Sequence, residues 1–255
     1  MIEFDGVPGI VYADMLGTSS RTDSSVPDSF DRHVVQYDRA AWMLNSLNQL
    51  LSASEFASSE SVLVSDCLFA VFQSPLAAAR FAVGFVRLCV QRGVLLRAAV
   101  ETGAVWKPPP DYPAPAGVKT HASPLMGYGI TSAAVQAEKG LKGTQGSRLA
   151  LGPFLVRWLS HPKGGLSPEH HQQSTAIRQL MAPPGEPAWQ PAPQLLWMHQ
   201  ATADSLQKLC TNVHFNRIDQ LIKDVSLNPP EIDATGLGHW QATQRQLERY
   251  QELQG

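Results

Sequence analysis

A chain of 255 residues in which 44% are apolar is long enough to bury a full core. With 20 basic residues against 22 acidic ones its formal charge is −2, which excludes the basic footprint that extended duplex binding requires, so no nucleic-acid partner is expected. Cys67, Cys89 and Cys210 are far apart and lack zinc-finger or Cys–X–X–Cys spacing, and they read as buried reduced thiols. The segment Met1-Ile2-Glu3-Phe4-Asp5 has no leader character. The most apolar helical stretch, near Ala77 to Val90, is interrupted by Arg80 and Arg87. The expectation is a cytoplasmic protein with no membrane span.

In chain order, Gly9 to Asp14 reads as a strand, and Ser19 to Asp31, rich in Ser and Asp, as a loop or an irregular helix start. Apolar residues recur at Ala40, Ala41, Leu44, Leu47 and Leu51, a helical spacing over Tyr37 to Leu51. Val62–Val64 and Leu68–Phe72 flank Ser65-Asp66-Cys67, a hairpin with the aspartate at its tip. Ser74-Pro75 supplies an N-cap and a first-turn proline for a helix that Gly93 ends. Val94 to Val100 is a strand, and Trp106 to Lys119, with its prolines, a surface excursion. Gly127-Tyr128-Gly129 leads into a closely packing helix, Ile130 to Glu138. Leu149–Leu151 is a strand, Pro153–Leu159 a short helix and His161 to Pro193 a second excursion. Gln194–His199 is expected as a last strand, with helices over Asp204–Val225 and Gln241–Leu253.

The resulting order β-α-β-β-α-β is that of a ferredoxin-like split unit. The fold class expected is α/β in the α+β sense, with a central, mostly antiparallel sheet and flanking helices. The sheet domain is placed at residues 8–200, and 201–255 form a helical carboxyl-terminal extension packed on it.

The chemistry-bearing feature is the pair Asp14 and Asp66, each closing an apolar strand-like run before a turn. A hard divalent cation is held by one or two carboxylates together with substrate phosphates. Met15 to Ser19 adds a small-residue turn whose N–H groups can face phosphate oxygens. Turn-forming or solvated carboxylates are the plainer alternative for either aspartate alone.

Four segments in the right order carry a resemblance: Ala13-Asp14-Met15-Leu16-Gly17, then Ser65-Asp66-Cys67-Leu68-Phe69-Ala70-Val71-Phe72, then Leu96-Arg97-Ala98-Ala99-Val100-Glu101-Thr102-Gly103-Ala104-Val105, then Gly127-Tyr128-Gly129-Ile130-Thr131-Ser132-Ala133-Ala134. Over roughly residues 8–155 the chain resembles the class III nucleotidyl cyclase catalytic domain. The resemblance implies two Mn²⁺ or Mg²⁺ ions per site on Asp14 and Asp66, with the Met15 carbonyl as a further ligand. One ion lowers the pKa of the ribose 3′-hydroxyl and the other neutralises the triphosphate. It also implies a triphosphate cradle at Met15, Leu16, Gly17, Thr18 and Ser19, and a catalytic role for Thr131. Active sites in the family span a dimer interface, so a homodimer with composite sites follows.

The chain departs from that pattern where adenylate cyclases read the base. The Lys expected four residues before the second aspartate is Val62, and the Asp expected before the Gly127 helix is Pro124. The family's helix Asn is Thr131, and the Arg four residues on is Val135. Arg97, Lys139, Lys142 and Arg148 are the candidate replacement cations, with Arg97 and Arg148 assigned to the nucleotide, although each also reads as a surface charge. The pattern looks like the pyrimidine cyclases of the Pycsar anti-phage systems. That likeness implies UTP converted to cyclic UMP, or CTP to cyclic CMP, as a messenger for a separate effector. A purine cyclase and a degenerate nucleotide-binding relative remain the alternatives; a diguanylate cyclase lacks its Gly-Gly-(Asp/Glu)-Glu-Phe hairpin.

Overall fold

The computed structural model describes residues 7–16, 30–56, 60–64, 66–106, 125–161, 167–183, 192–227 and 234–254. The expected cradle residues Gly17, Thr18 and Ser19, the expected loop up to residue 29, Pro124 and most of the proline-rich excursion lie outside them.

The elements are β1 (Gly9–Met15), α1 (Phe30–Leu51), β2 (Glu60–Val64), β3 (Cys67–Phe72), α2 (Pro75–Gln91), β4 (Leu96–Thr102), α3 (Tyr128–Val135), β5 (Arg148–Leu151), α4 (Pro153–Leu159), α5 (Pro168–Gln179), α6 (Gln200–Leu209), α7 (Ile218–Leu227) and α8 (Ala234–Gln254). The strands form one sheet in the order β2-β3-β1-β4-β5. Only the β4–β5 pair is parallel. The β-α-β-β-α-β frame is therefore that of the split unit, with β1 at its centre.

Alternation along β1 sorts the two faces. Val11, Ala13 and Met15 enter an apolar cluster with α1 and α2, whereas Ile10 and Tyr12 join a smaller one with Ile130, Ala133 and Ala137. The cluster under α2 holds a stack of rings: Phe81 lies 4.6 Å from Phe72, 5.6 Å from Phe56 and 5.5 Å from Phe85. The α2 caps form as the sequence implies. Ser74 Oγ accepts from the Ala77 N–H at 3.2 Å, and Gly93 takes a φ of 74°, which favours glycine. Opposite, α3 packs closely on the sheet: a Cβ at Gly129 would sit 2.2 Å from Ile10 Cδ1 and 3.4 Å from the Gly103 backbone that follows β4.

Helix α2 is buried on all sides, and Arg87 is buried with it. Its guanidinium donates to the carbonyls of Met198 (2.7 Å) and Asn216 (3.1 Å from Nε) and to Gln200 Oε1 (2.8 Å). That network locks α2 to the segments around α6 and α7. Leu206, Leu221, Trp240, Leu247 and Tyr250 belong to the same apolar cluster as α2, so the carboxyl-terminal helices share its core.

Four expectations are corrected. The excursion at 161–193 contains α5: Ser167 caps it, with Oγ accepting from His170 N–H at 3.3 Å, and Pro168 opens it. Its buried stripe, Ser174, Ile177 and Leu180, is too thin to show as hydrophobic periodicity. His170 is thus on a helix, its ring 4.1 Å from that of Trp158. Gln194–His199 is not a strand but two isolated bridges, Gln194 with Ala150 and Leu195 with Met181, after which the chain turns at Trp197-Met198. The expected helix Asp204–Val225 is broken between Leu209 and Ile218, where Val213 and Phe215 plug the core from irregular backbone. Helix α1 also begins at Phe30, earlier than Tyr37.

Candidate active site

The edge where β1 ends and the β2–β3 hairpin turns gathers the acidic groups. Antiparallel register sets Asp14 opposite Cys67 on one side and opposite Arg97 on the other. Directly opposed residues share a face, so Cys67, Asp14 and Arg97 line one row on the α3 side of the sheet. Arg148 extends the row, paired with Arg97. Asp66 sits at the hairpin tip, and its carbonyl accepts from the Met15 N–H at 3.1 Å. That bond ties the tip to the end of β1 and fixes the two aspartates relative to each other.

The Asp14 and Asp66 carboxylates and the Cys67 sulfur present ligand atoms within 4.8 Å of one another. Cys67 Sγ lies 3.4 Å from Asp14 Oδ1 and 3.7 Å from Asp66 Oδ1, so its one hydrogen can serve either. Tyr12 O–H stands 3.4 Å from that sulfur and donates to Glu138 Oε1 at 2.8 Å. Glu138 projects from a single π-turn, Gln136–Gly140, that prolongs α3.

The electrostatics are those of a centre short of positive charge. Burial raises the Asp14 carboxyl above its ordinary range; the Cys67 hydrogen bond and Arg97 pull it back, while Asp66 and Glu138 push it further up. The Cys67 thiol is pushed up to about 12, chiefly by burial and then by the two aspartates, against a hydrogen bond from Tyr12. Burial likewise raises the Tyr12 phenol. Two half-buried carboxylates converging on one point are relieved by a cation, and an oxygen-rich donor set of this kind suits a divalent ion. The residues present therefore fit the expected metal.

The structure brings Asp14, Asp66 and Arg97 together. Met15 turns its side chain into the apolar core, so it can address an ion only through its main chain. Leu16 is buried, its N–H bonded to the Leu95 carbonyl at 2.9 Å. Thr131 and Arg148 are not gathered with the carboxylates. The Thr131 hydroxyl donates to the Gly127 carbonyl at 3.3 Å, on the exposed side of α3. Arg148 lies two strands from Asp14, roughly 10 Å at the usual strand spacing, and donates from Nε to the Gln145 carbonyl at 2.9 Å. With its amide oxygen turned towards Arg148, Gln246 of α8 accepts further bonds at 2.7–2.9 Å.

Tyr12, Cys67 and Glu138 escaped the sequence reading as site residues. Two of them had a signal: once Asp14 is placed, period 2 puts Tyr12 on its face, and the hairpin register puts Cys67 beside it. Glu138 had none, because a π-turn shifts the helical phase by a residue. Glu101, also passed over, is fully buried and structural. It accepts from Thr102 N–H (2.8 Å), Leu155 N–H (2.6 Å), Phe154 N–H (3.2 Å) and Ser132 O–H (2.8 Å), joining β4 to α3 and α4. Burial raises its carboxyl, with those donors opposing.

No family model and no curated protein matches the chain. Among solved structures it is similar to a bacterial light-regulated adenylyl cyclase (16% identity over 68% of this chain and 97% of that one, TM-score 0.43). It is also similar to adenylate cyclases from Trypanosoma brucei (15%, 68% and 81%, TM-score 0.45) and to the guanylyl cyclase Cya2 (11%, 74% and 89%, TM-score 0.44). At such identities and TM-scores the chemistry of this chain has to be read from its own side chains. Among the described residues no helix is long and apolar enough to cross a membrane.

Proposed function

We propose that the chain is a nucleotidyl cyclase that converts UTP to 3′,5′-cyclic UMP and pyrophosphate. One observation carries the reading: Asp14 and Asp66 reach one point from adjoining ends of β1 and the β2–β3 hairpin, in a sheet of β-α-β-β-α-β order. A divalent ion bound there would acidify the ribose 3′-hydroxyl and neutralise phosphate charge. The carboxylates would hold and orient that metal nucleotide with its 3′-oxygen in line with the α-phosphorus; the new O–P bond would form as the bond to pyrophosphate breaks and the 3′-hydroxyl proton passes to solvent. Arg97, opposite Asp14 on the same face, supplies fixed positive charge towards the phosphates in place of the helix arginine that Val135 replaces. The Met15 main chain and the residues Leu16, Gly17, Thr18 and Ser19 are assigned to the triphosphate, as is Arg148 should it leave Gln145.

A pyrimidine triphosphate, with UTP taken ahead of CTP, is assigned over purines because Val62 and Pro124 replace the polar groups with which related enzymes read adenine. A site that selects by hydrogen bonds discriminates strongly against a base lacking the partners. Val62 pairs with Phe69, on the face that carries Asp14, and offers the base no hydrogen bond. By the same resemblance the product serves anti-phage defence through a separate effector. A homodimer is supported by the outer side of α3, where Tyr128 is 82% and Val135 45% exposed alongside Thr131. That face would complete the partner's site.

Purified protein incubated with Mn²⁺ and each of the four ribonucleoside triphosphates tests the proposal. Cyclic UMP should dominate by mass spectrometry, and Asp66→Asn should abolish it. Dominant cyclic AMP or cyclic GMP overturns the pyrimidine assignment, and no cyclic product from any of the four overturns the enzyme. A second reading, a relative that binds nucleotide without turnover, is favoured by the Thr131 hydroxyl being occupied by its own helix. It requires bound UTP without pyrophosphate release.

A further inference from the structure

Resting on the assignment of Asp14 and Asp66 as cation ligands, we propose that Cys67 is a third protein ligand and makes the centre thiophilic, so that zinc-class ions occupy it in preference to Mg²⁺. A tetrahedral site with a Zn–S bond near 2.3 Å and Zn–O bonds of 2.0–2.2 Å separates sulfur from oxygen by about 3.6 Å. The Cys67 sulfur lies 3.4 Å and 3.7 Å from one oxygen of each aspartate. All three ligand atoms lie within 4.8 Å of one another, so one ion can sit among them once side-chain rotation draws the two carboxylates together. The fourth position stays open to water or a phosphate oxygen.

Ligand chemistry sets the selectivity. Thiolate sulfur favours Zn²⁺ and Cd²⁺, whereas Mg²⁺ demands oxygen in near-octahedral array. As the metal–sulfur bond forms, the thiol proton passes to solvent, so no other reactant is needed. Tyr12, whose one hydrogen goes to Glu138, stands 3.4 Å from the sulfur and can turn that hydrogen to it once the sulfur is bound, the outer support that ligating groups commonly have. Zinc held this way competes with the hard ion for Asp14 and Asp66.

The test titrates the metal-stripped full chain with Cd²⁺ and follows the ultraviolet sulfur-to-cadmium charge-transfer band, with calorimetry for Mg²⁺. Cys89 and Cys210 are buried, so a band belongs to Cys67. The expected result is a band saturating at one equivalent in the wild type and missing in Cys67→Ser and Cys67→Ala, both with wild-type circular dichroism. Cys67→Ser should weaken Cd²⁺ by on the order of tenfold or more while Mg²⁺ affinity changes little. A wild type without the band, or a band that survives Cys67→Ala, overturns the proposal. The band with no cyclic product from any triphosphate leaves the ligand in place and removes the cyclase; cyclic product without the band does the reverse.

Discussion

The two faces of the central sheet are built from alternate residues of the same strands, yet they do different work. On the α2 side Val11, Ala13 and Met15 share one apolar cluster with Phe72, Phe81 and Phe85. On the α3 side Ile10 and Tyr12 begin as core and the row ends in Asp14, Cys67 and Arg97. A period of two residues is enough to keep stabilising and reactive groups apart on one strand. The first face absorbs the free energy of burial, which lets the second tolerate carboxylates that repel each other.

A matched pair of substitutions tests that division. Phe81→Ala removes the centre of the ring stack and should cost about 3–5 kcal/mol in urea unfolding. Asp14→Asn should lower cyclic-nucleotide formation by on the order of 10²- to 10³-fold. In metal-free protein it should leave the unfolding midpoint at or above that of the wild type, because it removes a carboxylate that burial and Asp66 disfavour. If Asp14→Asn unfolds the protein as Phe81→Ala does, the two faces are not separable. A smaller effect is expected where α3 touches the sheet. Gly129→Ala sets a methyl against Ile10 and should destabilise by ~1–3 kcal/mol in thermal unfolding. An unchanged melting temperature would mean that the close approach of helix and sheet has slack.

The smallest effect belongs to the α2 side. His199 caps α6, its Nδ1 accepting from the Thr202 N–H at 3.3 Å, a bond that only the neutral ring can accept. Burial and then the nearby Arg87 charge hold its pKa below the ordinary histidine value. The contribution is therefore complete above roughly pH 6.5 and is lost as pH falls through the lowered folded value. Asn at this position keeps an acceptor without titrating. Relative to His199→Asn, the wild type should lose on the order of 1 kcal/mol on acidification from neutrality. Parallel pH profiles would show that the cap does not couple to pH.

Legibility in the sequence followed the same division. The strands and α2 could be read because alternation, a Ser-Pro start and a Gly stop act within a few residues. Both aspartates could be read because each closes an apolar run. Where α5 was missed, its buried stripe is one residue wide and sits among Gln, His and Pro. The break at Cys210–Arg217 was missed because Val213 continues the helical series of Leu206, Leu209 and Cys210 while packing from irregular backbone. In the site, Cys67 required the strand register, and Glu138 required a helix irregularity that no periodicity announces.

The buried guanidinium of Arg87 has a consequence for how the polypeptide is made. Its acceptors lie 111 to 129 residues further along the chain. While a ribosome is still short of Asn216, α2 carries a cation that it cannot bury without penalty. Sheet assembly before that point leaves the helix loosely seated, so α2 takes its final seat only after the segment through Asn216 has been made.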